Sequence, residues 1–330
     1  MRVKVLGGGW YGCTIARGLA ARGHNVELHD IADRLFAGAS GANPARLHLG
    51  FHYPRSKLTR AHCQEHNAEF LKVFGHLTRA VPINIYAIAA DSSMVDFANY
   101  TQSLRGEVEF ITIRDPAEFG LRNVEGALLT GERHVIIDLA RKFFEEELKD
   151  IVRFKSDHKP IDFDDPEYDW TIDCTFCARD SANVDRYEPC LTVILKGQTN
   201  KAVTIMDGPF PSIYPWDERE GFCSLTSAKY TPFERVETYW EAKTFLEKLD
   251  GPTTIKRAQD MMVAMHHFYP FIASYEIGGL LTGIRAMPKS GADSRLVDIV
   301  PVSNRTLRVR AGKIDAVLHT EQEIARIIQG

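Results

Sequence analysis

Residues 2–30 constrain this chain more than any other stretch. Arg2–Leu6 (Arg-Val-Lys-Val-Leu) has the β-branched alternation of a buried strand, and Gly7-Gly8-Gly9-Trp10-Tyr11-Gly12 follows it at once. Residues 13–22 then carry helical periodicity through Ile15, Ala16, Leu19 and Ala20. Gly23 stops that helix, Val26-Glu27-Leu28 makes a second strand, and Asp30 closes it. In this setting the Gly-x-Gly-x-x-Gly spacing has a physical meaning. Gly7 permits the tight turn, Gly9 lets backbone approach a pyrophosphate, and Gly12 lets helix and strand pack closely. The helix N-terminus that follows the turn offers free N–H groups and a partial positive charge to that anion.

An acid at the end of the second strand suits the ribose hydroxyls of NAD or FAD and repels the 2′-phosphate of NADP. The next segment separates the first two. A nicotinamide dehydrogenase usually runs on into another βαβ repeat. This chain instead enters a small-residue loop, Ala39-Ser40-Gly41-Ala42-Asn43-Pro44-Ala45-Arg46-Leu47-His48-Leu49-Gly50, able to lay backbone against a flat ring. Asp173-Cys174-Thr175 ends a later apolar strand, and Gly312-Lys313-Ile314-Asp315 opens the last helix.

On these residues the chain resembles the D-amino-acid oxidase superfamily of FAD-dependent oxidoreductases, including its L-2-hydroxyglutarate and sarcosine/glycine oxidase branches. The resemblance is strong over residues 1–60, fair near the C-terminus and thin between 80 and 270. It implies FAD as cofactor and an α/β fold: a Rossmann-like, glutathione-reductase-type FAD domain carrying an inserted mixed or antiparallel sheet for substrate. It implies cofactor contact for Ser40, Asn43, Arg46, Leu47 and His48, beside Gly7, Gly9, Trp10, Tyr11, Gly12 and Asp30. Cys174 and Thr175, the Gly-x-Arg strand (Gly283 and Arg285) and the turn Gly312, Lys313, Ile314 complete that set. One departure stands out: Phe176 occupies a position where the family has glycine.

Composition excludes other classes. A net charge of −4, with no basic run interleaved with aromatics, argues against a nucleic-acid partner. No apolar run approaches the ~20 residues of a membrane span, and the first apolar segment is already the nucleotide strand rather than a leader. A cytoplasmic protein is expected. The six cysteines include one C-x-x-C, Cys174 and Cys177, without a second pair to complete a zinc site, so no metal is expected.

Periodicity predicts helices over 56–74, 93–104, 138–148, 233–249 and 253–268, an alternating aromatic sheet over 185–232, and a strand from 275 to 284. Residues 1–80, 133–182 and 275–330 are assigned to the FAD domain, and 81–132 and 183–274 to the substrate domain.

Flavin oxidation of an alcohol or amine requires a held C–H bond and, for an alcohol, a base. Arg285 is a candidate fork for a carboxylate, which makes a small anionic substrate the expectation, whether hydroxyacid, amino acid or sugar derivative. The alternative for Arg285 is pairing with a structural acid or contact with the flavin itself. His48, which matches a histidine of the hydroxyacid branch, and His52 are candidate bases. Tyr214 is a candidate pocket group. The expected reaction is hydride transfer from CH–OH or CH–NH to flavin N5, with O2 or another acceptor completing turnover. A non-redox flavoenzyme of the UDP-galactopyranose mutase type is the alternative, followed by an NAD dehydrogenase and a cofactor-binding scaffold.

Overall fold

Strand Arg2–Leu6 forms as expected and lies inside a six-stranded sheet. In order, the strands are Asp298–Ser303, Thr306–Arg310, Trp170–Asp173, Arg2–Leu6, Asn25–His29 and Val152–Arg153. All neighbours are parallel except the first pair. The computed structural model describes residues 1–156, 165–178, 184–197, 200–216, 221–288 and 296–330. Helices Trp10–Ala21 and Val317–Gln329 cross so closely that a Cβ on Gly18 would lie 2.1 Å from the Glu321 carboxylate. Beneath them Trp10, Phe36, Phe70, Phe74 and Phe144 interlock, with ring centroids 5.1–5.8 Å apart around Trp10. Burying such aromatic surface is the main drive to this layer.

A second, eight-stranded sheet runs Glu276–Pro288, Val184–Lys196, Phe222–Ser227, Pro211–Pro215, Lys201–Met206, Ile83–Ala89, Val124–Thr130 and Phe110–Ile113. It is antiparallel apart from the pairing of Lys201–Met206 with Ile83–Ala89, hence mixed. A short three-stranded sheet (Arg46–Leu47, Arg133–Val135, Thr78–Ala80) completes the strands.

One assignment changes here. The strand placed by sequence with the FAD domain, from 275, is Glu276–Pro288, and it pairs with Val184–Lys196 in the larger sheet. Both strands are 13 residues long, and that match satisfies far more backbone groups than the two-residue edge strand Val152–Arg153 offers. The boundary between 182 and 183 lies outside the described residues. Two helices, expected over 93–104 and 233–249, are shorter than their periodicity because side-chain caps start them late. Asp96 accepts from the Asn99 amide ahead of Phe97–Leu104, and a Thr238/Glu241 capping box opens Tyr239–Glu247. Asp138 lies in the first turn of Ile137–Glu147, where its negative charge complements the positive end of the helix dipole.

Candidate active site

The glycine turn is a set of contacts at the limit of van der Waals distance. Gly7 has φ +96°, and a Cβ there would stand 2.6 Å from the Cys174 carbonyl oxygen. A Cβ on Gly12 would stand 1.8 Å from the Gly7 carbonyl oxygen, and one on Gly9 would stand 2.8 Å from Ser40 Oγ. Ser40 reaches the helix start, its Oγ accepting from the Trp10 amide at 3.1 Å. Asp30 accepts from the Gly8 and Ala32 amides, one on each carboxylate oxygen, leaving further lone pairs on its outer side.

Several expected contacts take a different form. The Trp10 ring is 3% exposed, inside the aromatic core, so only its backbone belongs to the turn. Leu47 is a fully buried core residue for the same reason of apolar packing. Asn43 shapes its own loop, donating to the carbonyls of Ala39 and Ser40 and accepting from the Ala45 amide at 2.7 Å. Thr175 folds back on Asp173 Oδ1 through both its amide and its hydroxyl. Phe176 and Cys177 adopt left-handed φ of +63° and +56°, so the backbone keeps the conformation a glycine would favour. Burial pushes the Cys174 thiol well up.

Tyr11 joins the two ends of the chain. Its hydroxyl donates to the Lys313 carbonyl at 2.5 Å and accepts from the Gly312 amide at 3.2 Å. The turn then runs through Ile314–Ala316 into the last helix. Lys313 Nζ stands 4.8 Å from the Tyr53 ring centroid, and Asp315 is buried with its carboxyl pushed up to about 7 by burial.

Behind the loop lies a buried polar network. Arg46 donates to Thr204 Oγ1 at 2.9 Å and to the Tyr86 hydroxyl at 3.1 Å, and its guanidinium sits 4.3 Å from the Tyr214 ring. Tyr86 donates to Glu132 Oε2 at 2.6 Å. Glu132 Oε1 accepts the Leu49 amide at 2.8 Å and faces His48 Nδ1 at 3.5 Å. Burial pushes Glu132 up, but His48, Arg46 and Tyr86 outweigh it and hold the carboxyl below its ordinary range. His48 is driven down to about 4 by burial and then by the Lys313 charge, so its imidazole is neutral at pH 7. Tyr214, a candidate pocket group, is 1% exposed and closes this network beneath Arg46 rather than facing open space. His52 is exposed, its ring 5.9 Å from that of His48. Sequence reasoning missed Glu132, Tyr86 and Thr204. The one available signal was a polar Asn84 two residues from Tyr86 on a strand of apolar residues.

Arg285 lies on the face of its strand that meets the loop, but one edge of its guanidinium is occupied: Nε and Nη2 both donate to Glu188 Oε2, at 2.9 and 2.5 Å. The structural-acid alternative describes what the side chain does.

A sequence model described as FAD dependent oxidoreductase (DAO) matches residues 2–157. The FAD-dependent monooxygenase FPY4 of Fusarium mangiferae is 32% identical over 98% of this chain and 90% of its own length. The chain belongs to the DAO family of FAD-dependent oxidoreductases. The FAD-dependent monooxygenase kojA of Aspergillus flavus is 26% identical, covering 99% of this chain and 86% of that protein. Among solved structures, glycine oxidase from Geobacillus kaustophilus superposes with a TM-score of 0.74 at 17% identity, over 99% of this chain and 95% of that one. This DAO-family protein is thus an FAD-dependent enzyme with the expected α/β fold. None of these relatives is a mutase, and nothing favours that alternative. Among the described residues no helix is long and apolar enough to cross a membrane.

The residues fit FAD. The Gly7–Gly12 cradle leaves no room for side chains where a pyrophosphate would lie, Asp30 keeps lone pairs for a ribose diol, and Tyr11 ties the C-terminal turn to the same helix start.

Buried titrating groups set an acid limit to stability. His48 and His134 fall from 6.5 to about 4, both through burial first, so each takes up a proton on unfolding between those values. Asp315, raised to about 7, gives one up over much of the same span. The histidine contribution is complete above pH 6.5 and is lost on acidification towards 4, while the Asp315 contribution has the opposite sign. For these three groups the net is one proton, or about 1.4 kcal/mol per pH unit in mid-window. Urea midpoints are therefore expected to be higher at pH 7 than at pH 5. Equal midpoints would contradict this balance.

Proposed function

We propose that this enzyme oxidises a CH–OH or CH–NH group of a small substrate by hydride transfer to flavin N5, with O2 or another acceptor taking the electrons onward. The observation that carries this reading is the neutral His48 backed by Glu132, on the loop that leaves Ser40 and beside Lys313 of the C-terminal turn. It favours the CH–OH form, because a hydroxyl must lose its proton as the C–H bond breaks and a neutral imidazole can accept it. Glu132 Oε1 lies 3.5 Å from Nδ1, and a neutral imidazole keeps one ring nitrogen able to accept a proton. The Gly7–Gly12 cradle, Ser40, Asp30 and the Gly312–Ile314 turn would hold FAD, which when bound supplies a two-electron acceptor.

The names of the fungal relatives favour a second reading, oxygen insertion. That reaction consumes O2 and an external reductant such as NADPH, placing one oxygen atom in the product and one in water. The two are separated by mixing yellow holoenzyme anaerobically with a panel of alcohols, polyols, hydroxyacids and amines. Bleaching without nicotinamide, then recovery in air with no ¹⁸O from O2 in the product, is expected. Reduction by NAD(P)H alone, with ¹⁸O entering the product, would replace hydride abstraction by monooxygenation.

A further inference from the structure

Strands Val184–Lys196 and Glu276–Pro288 pair in register with Cys190 opposite Gly283 and Glu188 opposite Arg285. This stretch abuts the Ser40–Asn43 loop: a Cβ on Gly283 would lie 3.0 Å from Ala42 Cβ, and Thr192 Oγ1 donates to the Ala42 carbonyl at 2.9 Å. Side chains two apart on a strand share a face, so Arg285 and Glu188 stand on the side that meets the loop. Ile284 and Ala286 pack the other way, against Tyr187 and Ala242.

Glu188 is 2% exposed and uses both oxygens. Oε2 takes the Nε and Nη2 of Arg285, and Oε1 takes Arg186 Nε at 3.0 Å. Arg186 is further tied to Asp185. Arg235 approaches Glu188 at 3.7 Å, but at 73% side-chain exposure its charge is screened. At the Nη1–Nη2 end of Arg285 a substrate carboxylate would meet a charge that Glu188 already offsets, and it could take the Nε–Nη2 edge only by evicting Glu188, leaving a buried charge that has lost a main partner. That exchange trades one ion pair for another and adds a desolvation penalty.

We infer that Glu188 answers Arg285 from within the chain, so that the substrate is uncharged where it meets this arginine: a neutral molecule bearing hydroxyl or carbonyl oxygens. A guanidinium has five N–H donors, and Glu188 engages only Nε and one Nη, so donors are left for such oxygens. This inference rests on the oxidoreductase reading for what the site does, and it revises the anionic substrate expected from sequence.

The test titrates FAD-loaded protein with acetate and with benzoate and follows the flavin difference spectrum. Wild type and Arg285→Met are expected to bind these carboxylates equally weakly. Glu188→Gln, which keeps the shape and removes the charge, is expected to bind them at least tenfold more tightly, a gain lost in the Glu188→Gln/Arg285→Met double variant. Tenfold weaker binding by Arg285→Met than by wild type would overturn the inference, as would a folded, yellow Glu188→Gln with no gain. Should Glu188→Gln not fold, the wild-type and Arg285→Met pair decides alone. Failure of every alcohol and amine to bleach the flavin would remove the oxidation reading and leave this titration interpretable.

Discussion

Gly12→Val is expected to purify colourless. The first atom of any side chain at this position would lie 1.8 Å from the Gly7 carbonyl oxygen, well inside contact distance, and the obstacle is backbone. No rotamer relieves it. The helix start must move off the turn, and the turn is already fixed by the left-handed φ of Gly7 and by its contact with the Cys174 carbonyl. Displaced amides no longer converge on a phosphate. A loss of at least about a hundredfold in FAD affinity, or ~2.8 kcal/mol, is expected. The ratio of flavin to protein absorbance measures it, with circular dichroism showing that the chain has folded. Gly75→Ala is the control, since a Cβ there meets nothing within 4 Å and its φ is −58°. Stoichiometric FAD in Gly12→Val would remove the cradle from the cofactor site.

His48→Asn is expected to slow anaerobic flavin reduction by an alcohol about 10²- to 10⁴-fold, the usual contribution of a positioned base. FAD should remain bound, because the side chain belongs to the polar network behind the loop and not to the glycine cradle. The pH profile gives a sharper signature. A base works deprotonated, so the wild-type rate should be flat near neutrality and fall only as pH drops through about 4, the value set by burial and the Lys313 charge. That acid limb should vanish in the variant. A rate within threefold of wild type, or an unchanged acid limb, would assign His48 to structure and shift attention to His52.

The residues legible in advance were those whose roles depend on neighbours in the chain. A strand, a glycine spacing and a helix within thirty residues dictate their own geometry, because φ/ψ sterics and hydrophobic period are local. The same holds for the small-residue loop at 39–50 and the turn at Gly312. Tyr11 was legible as a site residue but not in its role, since its hydroxyl meets backbone 301 and 302 residues away. Glu132 was invisible for a related reason. In a turn beside Gly131 it reads as an ordinary surface acid, and only the docking of two sheets buries it against Tyr86 and Leu49.

By itself the sequence determined that this chain makes a dinucleotide crossover, because glycine's missing side chain and the run of the first helix admit few other arrangements, and the family resemblance of its loop and C-terminal turn made that dinucleotide FAD. Tertiary structure alone decided which charges meet. It placed Glu188 against Arg285 across 97 residues and Glu132 against His48 across 84, and pairing in a buried interior sets what each group can bind or protonate.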